Sequence, residues 1–466
     1  MRAFHGTVIH SPKLGQIEIL EDTLLVVADN GRIEAVEPRV DRGKVPELLQ
    51  ARGMTRDPHG DDEKSSDAVV DVQYLARTQF LAPGFVDTHN HAPQWGMRGL
   101  GQGLHILDWL DRITFPHEAR FADPAHARRV YARCVAAFLQ QGVTTASYYG
   151  SRHAAATDVL ADVCLERGQR ALVGKCNMDR SAPDTYRDAD AAESLRDTEA
   201  CLAHVRSLDP EGRLLQYVLT PRFAITCTPE LLRGLGDIAA RSRSDAQPQG
   251  LAIQTHFNEA EQEMASTRGL FPEFGDEVEL YAHFGLLTPR TILAHCCYAT
   301  DGELERLTEL GCGVAHCPVS NMTVGGGFMA APVRAFLDRG IPVGLGTDSG
   351  GGFSSSMLDA MRQALVASNA REVQSRGALK GLTIPEVFHL ATMGGARVCG
   401  LQDKVGTLEV GKEFDAILVN ADPAQPGVMT MVEEEDSLGT VFEKFVMTGD
   451  DRNIEQVFVC GRLVKQ

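Results

Sequence analysis

Eight short runs rich in valine, isoleucine and leucine recur along the middle of this chain, and stretches with helical character separate them. The runs cover residues 79–91, 143–149, 170–178, 214–223, 251–257, 291–296, 312–317 and 341–348. Strands that alternate with helices form parallel sheets through right-handed crossovers. Because eight such strands can close into a ring, the sequence predicts an α/β fold built on a (β/α)8 barrel.

The ends of the intervening helices are marked in the sequence. Asp123 and Thr228 each precede a proline, which is the pattern of a capping residue followed by the first helical position. Gly168 and Gly340 follow helical stretches, where a residue in the left-handed conformation commonly ends a helix. These signals support the alternation of strands and helices.

Both ends of the chain have a different, β-rich pattern. In "TLLVVADNGRIEAV" the pair Asn30-Gly31 lies between two strand-like stretches, as in a tight hairpin. Near the C-terminus, "GTLEVGKEFDAILVN" (406–420) resumes the pattern, and "VFVCGRLV" (457–464) predicts two strands that turn at Gly461. We therefore expect the two ends to form one small composite β-sandwich.

The expected domain limits follow from this division. Residues 1–75 and 401–466 are assigned to the sandwich, and residues 76–400 to the barrel. The polar stretch "ARGMTRDPHGDDEKSSD" (51–67) is rich in Asp, Gly and Ser, so it predicts a loop within the N-terminal part.

Charge and cysteine usage limit the partners of this protein. The 466 residues carry a formal net charge of -18, which argues against nucleic acid because affinity for phosphate backbones comes mainly from Lys and Arg. The 11 cysteines include no C-x-x-C pair, which argues against a disulfide framework and favours a reducing cytoplasm. No run of about 18 apolar residues predicts a membrane span. A small-molecule partner is the remaining expectation.

Polar and aromatic side chains lie at the C-terminal ends of the predicted strands, the face on which barrel enzymes carry their chemistry. These residues are His89, His91, Arg222, Phe223, His256, His295, His316 and Asp348. A single H-x-H pair on a strand is ordinary. Here ionisable residues at several further strand ends accompany this pair, which favours one common site.

The histidines have the spacing of metal ligands. His89 and His91, two positions apart on a strand, project to the same side, so both imidazoles can reach one ion. A catalytic zinc usually has three protein ligands and an open position for water, and His256 can supply a third nitrogen. Asp348 adds a carboxylate oxygen and can accept a proton from the bound water. His316 is interpreted as a supporting or core residue.

Glu259 is the predicted proton carrier. It lies three residues after His256, and a carboxylate just beyond a metal ligand can move protons between water and substrate. Zinc lowers the pKa of bound water to about 7 and so supplies hydroxide. The glycine-rich "GTDSGGG" (346–352) lacks the lysine of a phosphate loop and is interpreted as a tight turn that holds Asp348. The predicted chemistry is hydrolysis.

Several motifs carry a resemblance to a known family. "PGFVDTHNH", "THFNE", "LAHCCY" and "GLGTDSGGG" resemble the metal-dependent amidohydrolases. "HAPQWG", "LDWLDRITFPHEARF", "GQRALVGKCNMD", "TPRFAITC" and "AHCPVSN" together resemble the guanine deaminase family among them. The resemblance extends from about residue 70 to the C-terminus.

This resemblance implies a homodimer that hydrolyses guanine to xanthine and ammonia and holds one Zn2+ per chain. It implies metal ligation by His89, His91, His256 and Asp348, and catalysis by Glu259, His295 and Asp348. It places the substrate against His91, Gln94, Trp95, Arg222, Phe223, His256 and Glu259. In the implied reaction, zinc hydroxide attacks C2 of the purine while the glutamate protonates the neighbouring ring nitrogen.

Three alternatives stay open. Asn90, Cys296 and Val319 depart from the usual family pattern, which leaves a related purine, pterin or triazine open as the substrate of a deaminase or chlorohydrolase. A binuclear site bridged by carbamylated Lys175 is the second alternative, although this lysine lies in the middle of its strand. The third is a scaffold role added to the hydrolase fold. Iron or manganese could also replace zinc, since both accept His and Asp ligands.

Overall fold

A computed structural model describes residues 1–55, 68–244, 249–422 and 424–465 of this chain. Its strands are β1 (Arg2–His10), β2 (Glu18–Val27), β3 (Ile33–Glu37), β4 (Met54–Thr55), β5 (Ala68–Val69), β6 (Asp71–Tyr74), β7 (Gln79–Pro83), β8 (Phe85–His91), β9 (Val143–Tyr149), β10 (Arg170–Gly174), β11 (Cys176–Asn177), β12 (Leu215–Pro221), β13 (Ala252–Phe257), β14 (Thr291–His295), β15 (Gly313–His316), β16 (Val343–Leu345), β17 (Ala416–Asn420), β18 (Ile454–Val459) and β19 (Arg462–Lys465).

The helices follow the strands in alternation through the middle of the chain. They are α1 (Val45–Ala51), α2 (Ile106–Trp109), α3 (Phe115–Glu118), α4 (Pro124–Gln140), α5 (Ala154–Arg167), α6 (Ala191–Leu208), α7 (Pro229–Arg241), α8 (Glu261–Leu270), α9 (Glu277–His283), α10 (Asp301–Leu310), α11 (Pro318–Thr323), α12 (Val333–Asp338), α13 (Met357–Gln374), α14 (Ile384–His389), α15 (Gly395–Val398) and α16 (Leu438–Thr448).

The central sheet is a nearly closed parallel barrel. Its strands β8, β9, β10 and β12 to β16 pair in parallel, each with the next, and β11 extends the edge of β12. Between the first and last strands, Thr88 Oγ1 donates to Leu345 O at 2.9 Å, and Asp348 N–H donates to His89 O at 2.9 Å. The predicted (β/α)8 fold is confirmed.

The predicted helix ends are also found. The Asp123 side chain accepts from Ala125 N–H at the start of α4, and the Thr228 side chain accepts from Leu231 N–H at the start of α7. Gly168 ends α5 with a φ of 76°, in the left-handed region that glycine adopts without strain. These helices cover the barrel, so every residue of β8, β9 and β13 is buried.

The first predicted barrel strand, residues 79–91, is wrong as a single element. It is two strands in two sheets: β7 pairs with β1 and β17, and β8 begins the barrel. Gly84 between them passes so close to β9 that a Cβ there would lie 2.2 Å from the Thr144 side chain. The unbroken apolar pattern concealed this change of sheet, because both strands are buried.

Both chain ends contribute to one further sheet, as predicted. In the described part of the chain its eight strands run β19-β18-β17-β7-β1-β2-β3, with β6 beside β1. Gly31 lies in the β2–β3 hairpin and Gly461 in the β18–β19 hairpin. Within the β-rich stretch 406–420, the strand covers only the last five residues, Ala416–Asn420. The phenylalanine rings Phe4, Phe414 and Phe458 pack together inside this sheet.

A buried ion pair joins this terminal sheet to the barrel. Arg170, the first residue of β10, donates to both Asp415 carboxylate oxygens at 3.1 Å and to Glu413 Oε2 at 2.5 Å. The side chains of all three residues are about 2% exposed or less. Removing one partner of such a pair leaves a buried charge uncompensated. The two sheets are therefore fixed relative to each other.

The loop predicted over 51–67 is only partly within the described residues, since residues 56–67 lie outside them. Its first residues are not all loop: Ala51 ends α1, and β4 pairs in parallel with β5. In the parts of the chain that the structure describes, no helix is long and apolar enough to cross a membrane.

Candidate active site

Four imidazoles and one carboxylate meet at the C-terminal end of the barrel. His91 Nε2 lies 3.1 Å from His256 Nε2, and Asp348 Oδ1 lies 3.4 Å from His89 Nε2 and 3.7 Å from His91 Nε2. The ring of His295 packs 5.4 Å from that of His256 and 5.2 Å from that of His89. All five side chains are buried. The structure thus brings together the residues predicted to surround a metal ion.

Hydrogen bonds from one ring nitrogen orient two of these imidazoles. His256 Nδ1 lies 2.6 Å from Arg222 O, an acceptor only, so Nδ1 carries the proton and Nε2 is left with a lone pair. His295 Nδ1 lies 2.8 Å from Asn321 Oδ1 in the same way. Outer partners of this kind fix the tautomer and direction of metal-binding histidines.

Burial keeps the imidazoles neutral. It lowers the pKa of His89 and holds the pKa values of His91 and His256 well below 6.5. For Asp348, burial alone would raise the pKa, but the neighbouring His89, His295 and His91 hold it well below its ordinary value. Neutral imidazole and ionised carboxylate are the forms that bind metal.

The donor set fits a divalent ion. Among the described residues, both ring nitrogens of His89, Nδ1 of His91 and Nε2 of His295 are buried without a hydrogen-bond partner. The candidate ligand atoms of His89, His91 and Asp348 all lie within 4.8 Å of one another. Unpartnered buried nitrogens are costly in an apolar interior, and a cation at their meeting point would satisfy several of them.

The backbone is strained at three of these strand ends. Asn258, His295 and Asp348 have φ values of 43°, 73° and 43°, in the left-handed region that side chains other than glycine seldom occupy. Such residues cluster at functional sites, where the surrounding structure holds them. Here the strained turns direct His295 and Asp348 towards the cluster and lead the chain into Glu259.

Glu259 lies beside the cluster. Its Oε2 is 3.7 Å from His295 Nε2, and burial raises its pKa above 4.5. Its backbone N–H donates to Glu263 Oε2 at 3.2 Å, while the preceding Asn258 N–H donates to Glu277 Oε2 at 3.1 Å. The segment that carries Glu259 is therefore held by buried carboxylates behind it.

A pocket opens onto the cluster. Its lining includes His91, Gln94, Trp109, Arg222, Phe223 and Glu259. An apolar wall with few polar groups suits a flat heterocycle. Gln94, Arg222 and Phe223, predicted to contact the substrate, all face this space.

Three residues singled out in the sequence do not line this pocket. Trp95 packs against Phe138, with the Arg98 guanidinium 3.4 Å from its ring centroid. Lys175 Nζ lies 2.9 Å from Asp188 Oδ2 in a fully buried ion pair, which argues against the binuclear alternative. His316 is buried among core residues, and burial lowers its pKa to about 3. The tryptophan that lines the pocket is Trp109.

Sequence reasoning missed three supporting residues. Asp87 accepts from Thr347 Oγ1 at 2.6 Å and from His89 N–H at 3.2 Å, which ties the two strands that carry His89 and Asp348. Asn321 orients His295, and Glu118 pairs with Arg222. Each lies inside a quoted motif, "FVDTHNH", "AHCPVSN" or "FPHEARF". The motifs indicated that these residues belong to the family pattern, but not which side chains they contact.

Comparisons with known proteins agree with this geometry. The amidohydrolase family profile matches residues 80–464. The chain is 35% identical to the guanine deaminase of Dictyostelium discoideum, over 100% of this chain and 98% of that protein. It is 36% identical to the guanine deaminase of Mus musculus, over 99% and 96%. A crystal structure of guanine deaminase from C. acetobutylicum with guanine in its active site superposes with a TM-score of 0.85, at 29% identity and 99% coverage of each chain.

Proposed function

This chain belongs to the amidohydrolase family, and we propose that it hydrolyses guanine to xanthine and ammonia. The observation that carries this conclusion is the clustering of His89, His91, His256 and Asp348 beside a pocket that Arg222 lines. The likeness to guanine deaminases over almost the whole chain narrows the substrate from cyclic amidines in general to guanine.

We propose that His89, His91, His256 and Asp348 hold one zinc ion per chain. Three imidazoles and a carboxylate are a donor set typical of catalytic zinc. When bound, the metal acidifies a water molecule and so makes hydroxide available at neutral pH. His295 and Asp348 accept hydrogen bonds from the attacking water and orient it towards the substrate.

Glu259 is proposed to move the protons. Burial favours its protonated form, so the carboxyl group can hold a proton taken from the attacking water. It passes this proton to the ring nitrogen beside C2, which makes that carbon more electrophilic. A second proton, from the oxygen newly bonded to C2, reaches the amino nitrogen as the C2–N bond breaks, so water and guanine become xanthine and ammonia.

The pocket favours an oxopurine for two physical reasons. The Phe223 ring, 4% exposed, offers an apolar face on which a flat heterocycle can stack. Arg222 can only donate hydrogen bonds, which suits the C6 carbonyl oxygen of guanine. Adenine presents an amino donor at that position, so its binding would leave both donors unpaired.

A substrate panel tests the proposal. Ammonia release should be followed with guanine, adenine, cytosine, 8-oxoguanine and a chlorotriazine, with metal counted in the same preparation. We expect kcat/KM for guanine to exceed that for adenine by at least about a hundredfold, because a buried donor is left unpaired in the wrong complex. Absence of guanine turnover by metal-loaded protein would refute the assignment, and preferred turnover of a triazine would replace it.

We propose two further properties. A homodimer follows from the family resemblance alone, and sedimentation of the purified protein at several concentrations tests it. A cytoplasmic location fits the 11 free cysteines, ten of which are buried. Fractionation of the source cells tests that proposal.

A further inference from the structure

Glu118, which ends α3, is a fully buried carboxylate just behind the substrate pocket. Its Oε2 lies 2.8 Å from Arg222 Nη1, and its Oε1 accepts from Gln94 Nε2 at 2.7 Å. Arg222 Nη2 also donates to Oε1, at 3.4 Å. With three donors directed at it, this side chain is satisfied as a carboxylate. It contacts the two residues predicted to read the edge of the base.

The contact with Glu118 fixes which way the Gln94 amide points. A carboxylate can only accept, so the amide NH2 must face Glu118 and the carbonyl oxygen must face away. That oxygen, Gln94 Oε1, is buried and has no hydrogen-bond partner among the described residues, although Gln94 lines the pocket. An orphaned acceptor beside a substrate pocket indicates a donor on the ligand.

Glu118 also neutralises Arg222. Burial by itself would lower the pKa of this guanidinium, but Glu118 holds it above its ordinary value. The pair as a whole carries no net charge, so Arg222 presents hydrogen-bond donors to the pocket without an uncompensated positive charge. An unpaired arginine in the same place would attract anions instead.

We infer that Glu118 determines the specificity of this pocket for a neutral cyclic amide edge, a carbonyl oxygen with an adjacent ring N–H. The Arg222 donors pair with the carbonyl oxygen, and Gln94 Oε1 pairs with the N–H. Glu118 touches neither substrate nor metal, so it is a positioning residue. The inference rests on the proposed function, because guanine carries this edge at O6 and N1.

Ligand binding to metal-loaded Glu118→Gln protein tests the role without relying on turnover. Hypoxanthine carries the amide edge, purine lacks it, and urate is an oxopurine anion near neutral pH. By calorimetric titration we expect the preference of the wild type for hypoxanthine over purine to fall about tenfold or more in the variant, since a charge-assisted hydrogen bond is lost. Urate should bind several-fold more tightly, because Arg222 is then unpaired.

Three more variants keep the test interpretable. Gln94→Leu leaves the Arg222–Glu118 pair in place, so it should lose the preference for hypoxanthine without gaining affinity for urate. Glu386→Gln removes the carboxylate partner of another arginine, Arg334, far along the chain, and should change neither ratio. Glu118→Asp keeps the negative charge, so it should retain part of the preference for hypoxanthine over purine that Glu118→Gln loses.

The outcomes separate this inference from the proposed function. If all three ligands weaken in parallel in Glu118→Gln, or if none changes, Glu118 has no role in specificity and the inference is overturned. If the ligand preferences shift as expected but the wild type does not deaminate guanine, the proposed reaction fails while the role of Glu118 stands.

Discussion

Glu259 is the residue at which metal binding and proton transfer can be separated. Glu259→Gln keeps the size of the side chain but cannot carry a proton, so we expect kcat to fall by about 10²–10⁴ while metal content per chain is unchanged. Steady-state kinetics with metal analysis on the same samples checks this. Glu261→Gln, an exposed neighbour on α8, is the matched control. Near-normal turnover in the first variant would contradict the proton-carrying role.

Gly350 makes room for the Gln94 side chain. Its φ is 133°, and a Cβ at this position would lie 1.9 Å from Gln94 Oε1. Gly350→Ala should therefore displace the amide and raise KM for guanine about tenfold, with metal content retained. Gly302→Ala adds a methyl group where, beyond its own helix and chain neighbours, no atom of the described residues lies within 4 Å, and should leave KM unchanged. An unaltered KM in Gly350→Ala would show that Gln94 has another position.

The candidate metal ligands could be predicted from the sequence, whereas the contacts that hold the site together could not. His89 and His91 are two positions apart at the end of an apolar run, and that local pattern sets their direction. The pairing of Glu118 with Arg222 joins positions 104 apart in sequence, and depends on how α3 packs over the barrel. Trp95 lies on the turn Ala92–Met97 next to Gln94, but its indole packs against Phe138 and does not line the pocket.

At the scale of the element, the segment between β13 and α8 determines where Glu259 lies. Asn258 Nδ2 donates to Glu303 Oε1 at 2.8 Å, and the same residue adopts a left-handed φ of 43°. Asn258→Ala loses the hydrogen bond and is strained, so we expect kcat to fall about tenfold with little change in KM. Asn258→Gly relieves the strain but lacks the amide.

The two substitutions at Asn258 separate the effect of the lost hydrogen bond from the effect of backbone strain. If the hydrogen bond positions Glu259, kcat falls in both variants; if only backbone strain matters, the glycine variant retains normal kcat. Single-turnover kinetics at saturating guanine measures the effect on the chemical step. Normal kcat in both variants would mean that Glu263 and Glu277 hold the segment without help from Asn258.

Strand and helix types were predictable here because the periodicity is local, but the change of sheet at Gly84 was not. Both β7 and β8 are apolar and buried, so their hydrophobic patterns join into one run. What separates them is the pairing of β7 with β17, a strand more than 300 residues further along the chain. Sheet membership is a long-range property that strand propensity does not encode.

At the scale of the whole molecule, buried groups connect the terminal sheet to the barrel. Arg170 binds Asp415 and Glu413 on one side, and His389 Nδ1 on α14 lies 3.0 Å from the carbonyl oxygen of Ser11, next to β1. The first contact is an ion pair and the second a hydrogen bond from a neutral imidazole. The second responds to moderately acidic pH through the imidazole of His389.

His389 should make the stability of the fold sensitive to acid. Burial lowers its pKa from 6.5 to about 4, so the unfolded chain takes up a proton that the folded protein does not. Stability from this group is complete above about pH 6.5 and is lost as pH falls towards 4. Asp87 acts in the opposite sense, since burial raises its pKa to about 7. The pH dependence of the wild-type free energy of unfolding combines both effects and cannot isolate His389. The test therefore compares a His389 variant with the wild type at each pH.

We expect the free energy of unfolding of His389→Gln, relative to the wild type, to rise by about 1–3 kcal/mol between pH 7.5 and pH 4.5. The variant is less stable at pH 7.5, where the imidazole contact is intact, but it does not lose stability through protonation. Urea unfolding of both proteins across this pH range measures the difference. His283→Gln changes an exposed histidine and controls for the residue type. A difference that stays constant with pH would show that His389 takes up its proton equally in the folded and unfolded protein.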